Sequence, residues 1–228
     1  MILVTRDKVS SIITAKKLNK RGFKTAIMPL FKIVYFKVNC FRKIWLKFSN
    51  FDIVVLSSAN AINYLQQLYF DKDKIKIYVV GTKTADKVRS FGYQNIYIAN
   101  NSSSSLIKLL QKKVSKKSRL LYLCQKYATG NINLNLEKEG YKIKKIIAYK
   151  ANSIEYLSEE ILNDIKLSKF SGVTIYSKRT AQIFLKLIRK YNIFAACKNI
   201  QFLCFSNEIC EYCHKLGFRN TQNIQNYF

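Results

Sequence analysis

Proline occurs once and histidine once in 228 residues, glycine only seven times, and 13 acidic residues stand against 40 basic ones. Each scarcity closes a class of function. A single histidine, His214, with scattered acids builds no Ser-His-Asp triad at a recognisable spacing. The few glycines never fall into GxGxxG or GxxxxGK[ST], so a dinucleotide or P-loop site has no support. No apolar run reaches the ~18–20 residues that a bilayer span needs. The opening Met1-Ile2-Leu3-Val4-Thr5-Arg6 has neither the basic start nor the small-residue cleavage site of a secretion signal. The chain is therefore expected to be soluble and cytoplasmic, without membrane contact.

What is abundant points to a folded protein. Apolar residues make up 49% and aromatics 14%, enough to bury a core and unlike the composition of a disordered chain. The net charge of +27 invites a nucleic-acid reading, since Lys and Arg displace counterions from phosphates. Two facts weaken it. The basic residues are 32 Lys and only 8 Arg, and the same chain is rich in Asn, Ile, Tyr and Phe, the pattern of A/T-rich codons. Coding bias accounts for much of the charge, and the remainder says only that an anionic ligand would be welcome. Six cysteines (Cys40, Cys124, Cys197, Cys204, Cys210, Cys213) in such a chain read as reduced, mostly buried thiols.

Hydrophobic periodicity gives the organisation. Ile2 to Thr5 reads as a buried strand, followed by a helix with Val9, Ile12, Ile13 and Leu18 on its apolar face and Gly22 as its stop. A strand over Thr25–Met28, closed by Pro29, and an extended run from Phe31 to Phe36 complete a βαβ unit. The same order returns later: a strand over Leu120–Leu123, a helix through Ile132, Leu134 and Leu136 to Gly140, and a strand from Ile143 to Tyr149. Strand-to-helix modules also recur, at Asp52–Ala61, Lys76–Ala85, Val173–Ala181 and Ile200–Glu208. This duplication, with a period of about 110–120 residues, predicts two α/β domains, each a doubly wound parallel sheet. One domain is expected over residues 37–149 and the other, discontinuous, over 1–33 with 153–228; 34–36 and 150–152 are the connectors. The serines Ser102 to Ser105, just before Leu106, Leu109 and Leu110, are expected to cap a helix.

In open parallel sheets ligands bind beyond the carboxyl ends of the strands. The loops there contain Thr5 and Arg6; Ser57, Ser58 and Asn60; Gly81, Thr82 and Thr84; Gln125 and Lys126; Ser177, Lys178 and Thr180; and Ser206. They are rich in hydroxyls and basic groups, and they lead into helix N-termini, whose free N–H groups favour anions. A hydroxyl at such a place is equally suited to capping its own helix; the repetition at loop after loop carries the binding reading. Cys210-Glu211-Tyr212-Cys213-His214 matches the C-x-x-C-H pattern of haem attachment, but it lies inside a predicted helix closed by Gly217, where the two cysteines fit core packing. No metal site is expected.

The chain resembles the uroporphyrinogen-III synthase family along nearly its whole length. The resemblance rests on Leu3-Val4-Thr5-Arg6, Pro29, the segment Val54 to Ala61, Val80 to Ala85, the Gly140 to Tyr149 strand and Ile175-Tyr176-Ser177. The chain departs from the family pattern at Asp7, at Gln125 to Tyr127 and at Cys204 to Glu208. The resemblance implies two α/β domains joined by a two-stranded connector, no metal or cofactor, and a monomer. It implies a linear tetrapyrrole polycarboxylate, hydroxymethylbilane, as substrate, held in a cleft and handed over transiently by the enzyme that makes it. The implied reaction is closure to uroporphyrinogen III with inversion of ring D and loss of water. Departure of the hydroxyl leaves an azafulvene, and attack by the substituted ring D carbon gives a spiro intermediate that fragments and recloses. Tyr149 stands where the family carries a tyrosine facing the cleft, which implies a general acid that donates a proton or hydrogen bond to the departing hydroxyl; the alternative is an aromatic ring that wedges the connector against the sheet. The competing readings are a basic nucleic-acid-binding protein, which the absence of RRM or KH signatures disfavours, and a non-catalytic two-domain receptor for a small polyanion.

Overall fold

The computed structural model describes residues 1–48, 50–100, 102–128 and 130–224; the last four residues of the discontinuous domain expected above, 225–228, lie outside them. The chain begins with β1 (Ile2–Val4), α1 (Lys8–Asn19), β2 (Thr25–Ile27) and β3 (Phe31–Tyr35). It continues through α2 (Cys40–Phe48), β4 (Ile53–Leu56), a 3-10 turn at Ala59–Ala61, α3 (Ile62–Leu65), β5 (Lys76–Val80), α4 (Thr82–Arg89), β6 (Ile96–Ala99) and α5 (Ser103–Lys113). Then come β7 (Arg119–Gln125), α6 (Ile132–Lys138) and the long β8 (Lys142–Ser153). The final stretch holds α7 (Glu159–Lys166), β9 (Gly172–Ile175), α8 (Lys178–Lys190), β10 (Gln201–Cys204), α9 (Asn207–Lys215) and β11 (Thr221–Asn223). Two compact units result: Met1–Ile33 with Asn152–Phe228, and Val34–Ala151.

The first unit is built on a five-stranded sheet in the order β11-β10-β9-β1-β2, with parallel pairings throughout the register. Its inner strands β1, β9 and β10 are short, mostly apolar and buried, as strands covered on both faces must be, while the edge strand β11 is Thr-Gln-Asn. One face packs Leu3, Val173, Ile175, Phe202 and Cys204 against α7, α8 and α9, through Ile161, Ile165, Phe184, Ile188, Ile209 and Cys213. The opposite face sets Ile2, Val4 and Leu203 against Ala15 and Leu18 of α1.

Helix α1 turns a face to the sheet that its apolar spacing does not predict. Val9, Ile12 and Ile13 are exposed, at 69%, 38% and 55%, while Ser11, Thr14, Ala15 and Leu18 are buried. The reason is polar. The Ser11 hydroxyl accepts the Arg6 N–H at 2.9 Å, and Thr14 accepts the Tyr176 phenol proton at 3.2 Å, so burial leaves neither group unpaired and the usual cost of burying a hydroxyl is avoided. The helix starts after Asp7, which accepts the Ser10 N–H, and, as expected, Gly22 follows its end, at a φ of +84° that only glycine adopts without strain.

The second unit carries a six-stranded sheet in the order β3-β8-β7-β4-β5-β6, parallel from β8 to β6. The Ile-Val-Val-Leu run of β4 is completely buried because it lies in the interior of this sheet. Ile53 and Val55 join Tyr78, Ala99, Leu120, Tyr122 and Cys124 beneath α5 and α6. By the two-residue period Val54 and Leu56 point to the other face, where both are fully buried. As expected, Ser102 caps α5, its hydroxyl accepting the Ser105 N–H at 3.1 Å. Strands β3 and β8 pair with each other, and the chain passes along them from the first unit to the second and back. Among the described residues no helix is long and apolar enough to cross a membrane.

Candidate active site

Both sheets have a point where the strand order reverses, and in each the carboxyl ends at that point are tied together by side chains. In the first unit the reversal lies between β1 and β9. Thr5, just past β1, is fully buried; its N–H donates to Thr174 Oγ1 at 3.1 Å, and its own hydroxyl donates to the Thr174 carbonyl oxygen. That hydroxyl is used inside the protein, so Thr5 serves the site by fixing the strand end from which Arg6 departs. The Arg6 guanidinium lies 4.4 Å from the centre of the Tyr176 ring, which packs against Phe205 with ring centres 4.4 Å apart and planes tilted by 31°. Burial raises the Tyr176 phenol pKa, and the Thr14 hydrogen bond and the Arg6 charge pull it partly back, so the ring stays neutral and offers its π-face to the cation.

The neighbouring loops of this unit cap their own helices. Ser177 opens α8 with its hydroxyl accepting the Thr180 N–H at 3.1 Å and meeting the buried Thr180 hydroxyl at 2.9 Å. Ser206 opens α9 and accepts the Ile209 N–H at 3.3 Å. Lys178 bridges the two helix starts through Glu208 at 2.7 Å. Both partners are exposed, so this ion pair is weak and readily exchanged for another anion. The six candidates of this unit therefore gather at one end of one sheet.

In the second unit the order reverses between β4 and β7, and the Ser57 hydroxyl meets the Tyr122 phenol across that reversal at 3.1 Å. Ser58 caps the following turn, accepting the Asn60 N–H at 3.3 Å. Gly81 precedes α4 with φ +73° and ψ 158°, a glycine-only conformation, and no side chain caps this helix start. Of its neighbours Thr82 is exposed and Thr84 buried.

Tyr149 reaches the same end from β8. Its backbone oxygen accepts the Lys126 N–H at 2.9 Å, next to a register shift in the β7–β8 pairing at Cys124 and Gln125. The ring is only 4% exposed. Burial raises the phenol pKa above its ordinary value, while the Ser58 and Asn60 side chains act in the opposite sense. Tyr35 on β3 stands beside it, ring centres 6.4 Å apart, and donates its phenol proton to Asn60 Oδ1 at 3.3 Å.

Tyr35, Tyr122, Thr174 and the support given by Ser11 and Thr14 are not evident from loop composition. The signal that could have found Tyr122 is a phenol in an otherwise apolar strand, since a buried Tyr hydroxyl needs a partner. The C-x-x-C-H segment lies apart from these groups: Cys213 is buried 3.8 Å from Cys204, and His214 bonds to Thr221. An apolar hollow of about 260 Å³ in the first unit has Ile2, Leu18, Phe23, Leu203 and Ile224 among its walls and contains none of the candidate residues.

A family model described as uroporphyrinogen-III synthase HemD matches residues 13–223. No curated protein matches the chain. Among solved structures, a mutant uroporphyrinogen III synthase from the extremely thermophilic bacterium Thermus thermophilus aligns with a TM-score of 0.59 at 12% identity, covering 98% of this chain and 92% of that one. The uroporphyrinogen-III synthetase of Helicobacter pylori aligns with a TM-score of 0.58 at 17% identity, covering 94% and 88%. At these identities the likeness is one of fold.

Proposed function

Since the chain belongs to the uroporphyrinogen-III synthase family, we propose that Tyr149 is the proton donor of the reaction this family performs. The enzyme closes hydroxymethylbilane to uroporphyrinogen III, with inversion of ring D and loss of water, in tetrapyrrole (haem) biosynthesis. It is a cyclising hydro-lyase.

The observation that carries the assignment is the environment of the Tyr149 phenol. Its ring is only 4% exposed, Tyr35 stands beside it with ring centres 6.4 Å apart, and the Ser58 and Asn60 side chains act on the phenol against the effect of burial. Burial raises its pKa, so it is protonated at neutral pH, as a donor to a departing hydroxyl must be. Once water has left, the azafulvene is electrophilic enough to react with ring D unaided. What remains for the protein is to hold the conformer that attacks at the substituted carbon, which is a matter of proximity and orientation.

Arg6 and Lys178 supply positive charge for the carboxylates of the substrate, and the helix starts at Thr82, Lys178 and Asn207 supply N–H groups. Residues 1–33 with 153–228 form one domain in this reading and 37–149 the other, joined through 34–36 and 150–152; the two compact units support it. The enzyme acts as a cytoplasmic monomer that takes its substrate from the enzyme that makes it. The burial of Cys124, Cys197, Cys204 and Cys213 as small apolar residues fits a reducing compartment.

The test is the isomer ratio of the product together with Tyr149→Phe. The wild-type protein yields uroporphyrinogen III, and the variant, folded and with its ring retained, loses about 10²-fold or more in turnover, the scale of general-acid catalysis. Isomer I alone, formed at the uncatalysed rate by the wild type, would reject the activity; near-native turnover by the variant would remove Tyr149 from the mechanism.

A further inference from the structure

An arginine that meets no acceptor inside a protein keeps its whole fork of N–H donors for something outside it. Arg6 is in that position. Its backbone is engaged, the N–H with the Ser11 hydroxyl at 2.9 Å and the carbonyl oxygen with the Leu30 N–H at 3.1 Å. Among the described residues its guanidinium takes part in no ion pair and no side-chain hydrogen bond. Two acids of the neighbouring loops are already in use, Asp7 on the Ser10 N–H and Glu208 on Lys178. What the guanidinium has instead is the Tyr176 ring, 4.4 Å from its carbon to the ring centre. A ring face attracts a cation but offers no lone pair, so this contact places the charge without consuming the N–H groups.

Three neighbouring strands build the contact. Phe205 follows β10, Tyr176 follows β9, and Arg6 lies two residues past β1; these strands are adjacent in the order β10-β9-β1. The three side chains thus form a row across the carboxyl ends, and its last step crosses the reversal of strand order, where open parallel sheets bind their ligands. The row is braced. The Tyr176 and Phe205 ring centres are 4.4 Å apart, the Tyr176 phenol donates to the Thr14 hydroxyl at 3.2 Å, and the Phe205 N–H donates to the Ile175 carbonyl oxygen at 3.1 Å. Arg6, Tyr176 and Phe205 are each half-buried, so the row is fixed in the protein and still open to solvent. A carboxylate is planar and accepts two parallel N–H bonds from a guanidinium. We propose that Tyr176, braced by Phe205 and Thr14, is a positioning residue that presents the Arg6 guanidinium to one carboxylate of the linear tetrapyrrole.

This inference rests on the reading of Arg6 as a partner of the substrate carboxylates, and the experiment separates the two. Turnover number and KM for uroporphyrinogen III formation from hydroxymethylbilane are measured for wild type, Arg6→Gln, Tyr176→Phe, Tyr176→Leu, Phe205→Leu and the Arg6→Gln/Tyr176→Leu double variant, with folding checked by circular dichroism. Arg6→Gln is expected to raise KM about 10-fold, the scale of a lost charged hydrogen bond, with kcat within about twofold because binding alone is affected. Tyr176→Leu, which removes the ring face, is expected to raise KM about fivefold. Tyr176→Phe keeps the face, loses only the bond to Thr14, and should hold KM within about twofold of wild type. The double variant is expected to be no worse than Arg6→Gln alone, since one contact is broken only once. Phe205→Leu, which removes the brace and leaves the Tyr176 ring, is expected to raise KM about threefold and carries the test should Tyr176→Leu fail to fold. Native KM in folded Tyr176→Leu, or in Phe205→Leu where the former does not fold, beside a raised KM in Arg6→Gln would overturn the role of Tyr176. So would a Tyr176→Phe variant as impaired as Tyr176→Leu, or fully additive losses in the double variant. Native KM in Arg6→Gln would overturn the reading of Arg6 itself, and this inference with it.

Discussion

Replacing Thr5 by valine and by serine tests whether its hydroxyl belongs to the protein or to the substrate. The side chain is fully buried, and the hydroxyl donates to the Thr174 carbonyl oxygen. Valine keeps the shape and removes the donor, so the carbonyl loses a buried partner at a cost of about 1–3 kcal/mol. A second cost follows from size, because a methyl carbon sits ~3.3–3.6 Å from a carbonyl oxygen, whereas a hydroxyl in hydrogen bond sits ~2.5–3.0 Å away. Thr5→Val must therefore spread β1 from β9 as well, which places the whole effect near the top of that range. Serine keeps the donor and deletes one buried methyl group, worth about 1 kcal/mol. Urea denaturation reads the difference directly: at a slope of about 2 kcal/mol/M the valine variant should lose about 1.5 M in midpoint and the serine variant about 0.5 M. KM for hydroxymethylbilane should stay within about twofold of wild type in both at low temperature, where they remain folded. A valine variant as stable as wild type but with a raised KM would refute the reasoning and return the Thr5 hydroxyl to the substrate.

Two further outcomes follow from the second unit. Gly81→Ala forces a Cβ onto a backbone at φ +73° and ψ 158°, a conformation that costs of order 1–3 kcal/mol for other residues; thermal unfolding should register the loss, and an unchanged Tm would show that the turn before α4 relaxes freely. Burial pushes the Tyr122 phenol up to about 12 from its ordinary 10. The unfolded chain then ionises first as pH rises, so the associated stability is intact below pH 10 and is lost between pH 10 and about 12, an amount of order 2–3 kcal/mol. Tyr122→Phe should flatten that part of the stability profile, as followed by urea titration at stepped pH, and an unchanged slope would contradict it.

The parts of the fold that can be read from the residues are those where one physical requirement dominates. Strand β4 is apolar on both faces because it is covered on both, and Ile53-Val54-Val55-Leu56 announces this directly. The helix starts at Ser58, Ser102, Ser177 and Ser206 are announced by the oxygen an N-cap needs. Helix α1 departs from its periodicity for the opposite reason. Its most apolar residues, Val9, Ile12 and Ile13, are solvent-facing, while Ser11 and Thr14 are buried and bonded to Arg6 and Tyr176. A periodicity argument treats a hydroxyl as a surface residue and has no means of seeing that a partner elsewhere in the fold will satisfy it. Tyr35 is hidden from the sequence likewise, since its neighbours Tyr149 and Asn60 are far from it along the chain.

The same device appears at both reversals of strand order, and it explains why hydroxyl-rich loops need not mean hydroxyl catalysis. At β1 and β9 the tie is Thr5 to Thr174; at β4 and β7 it is Ser57 to Tyr122. Parallel strands diverge past their last ladder bond, and a reversal point has no helix crossover of its own to close the gap between the two strand ends. A side-chain bond across the gap holds those ends at fixed spacing, and therefore holds the helix starts that follow. The caps at Ser58, Ser177 and Ser206 then each satisfy one N–H of the first turn and leave the others exposed to an anion. Loss of any single cap should accordingly cost stability, typically ~1 kcal/mol, and weaken binding without changing which isomer forms. The Tyr149 phenol stands apart from these ties and caps: its ring is buried beside Tyr35, and burial raises its pKa, so it keeps its proton at neutral pH.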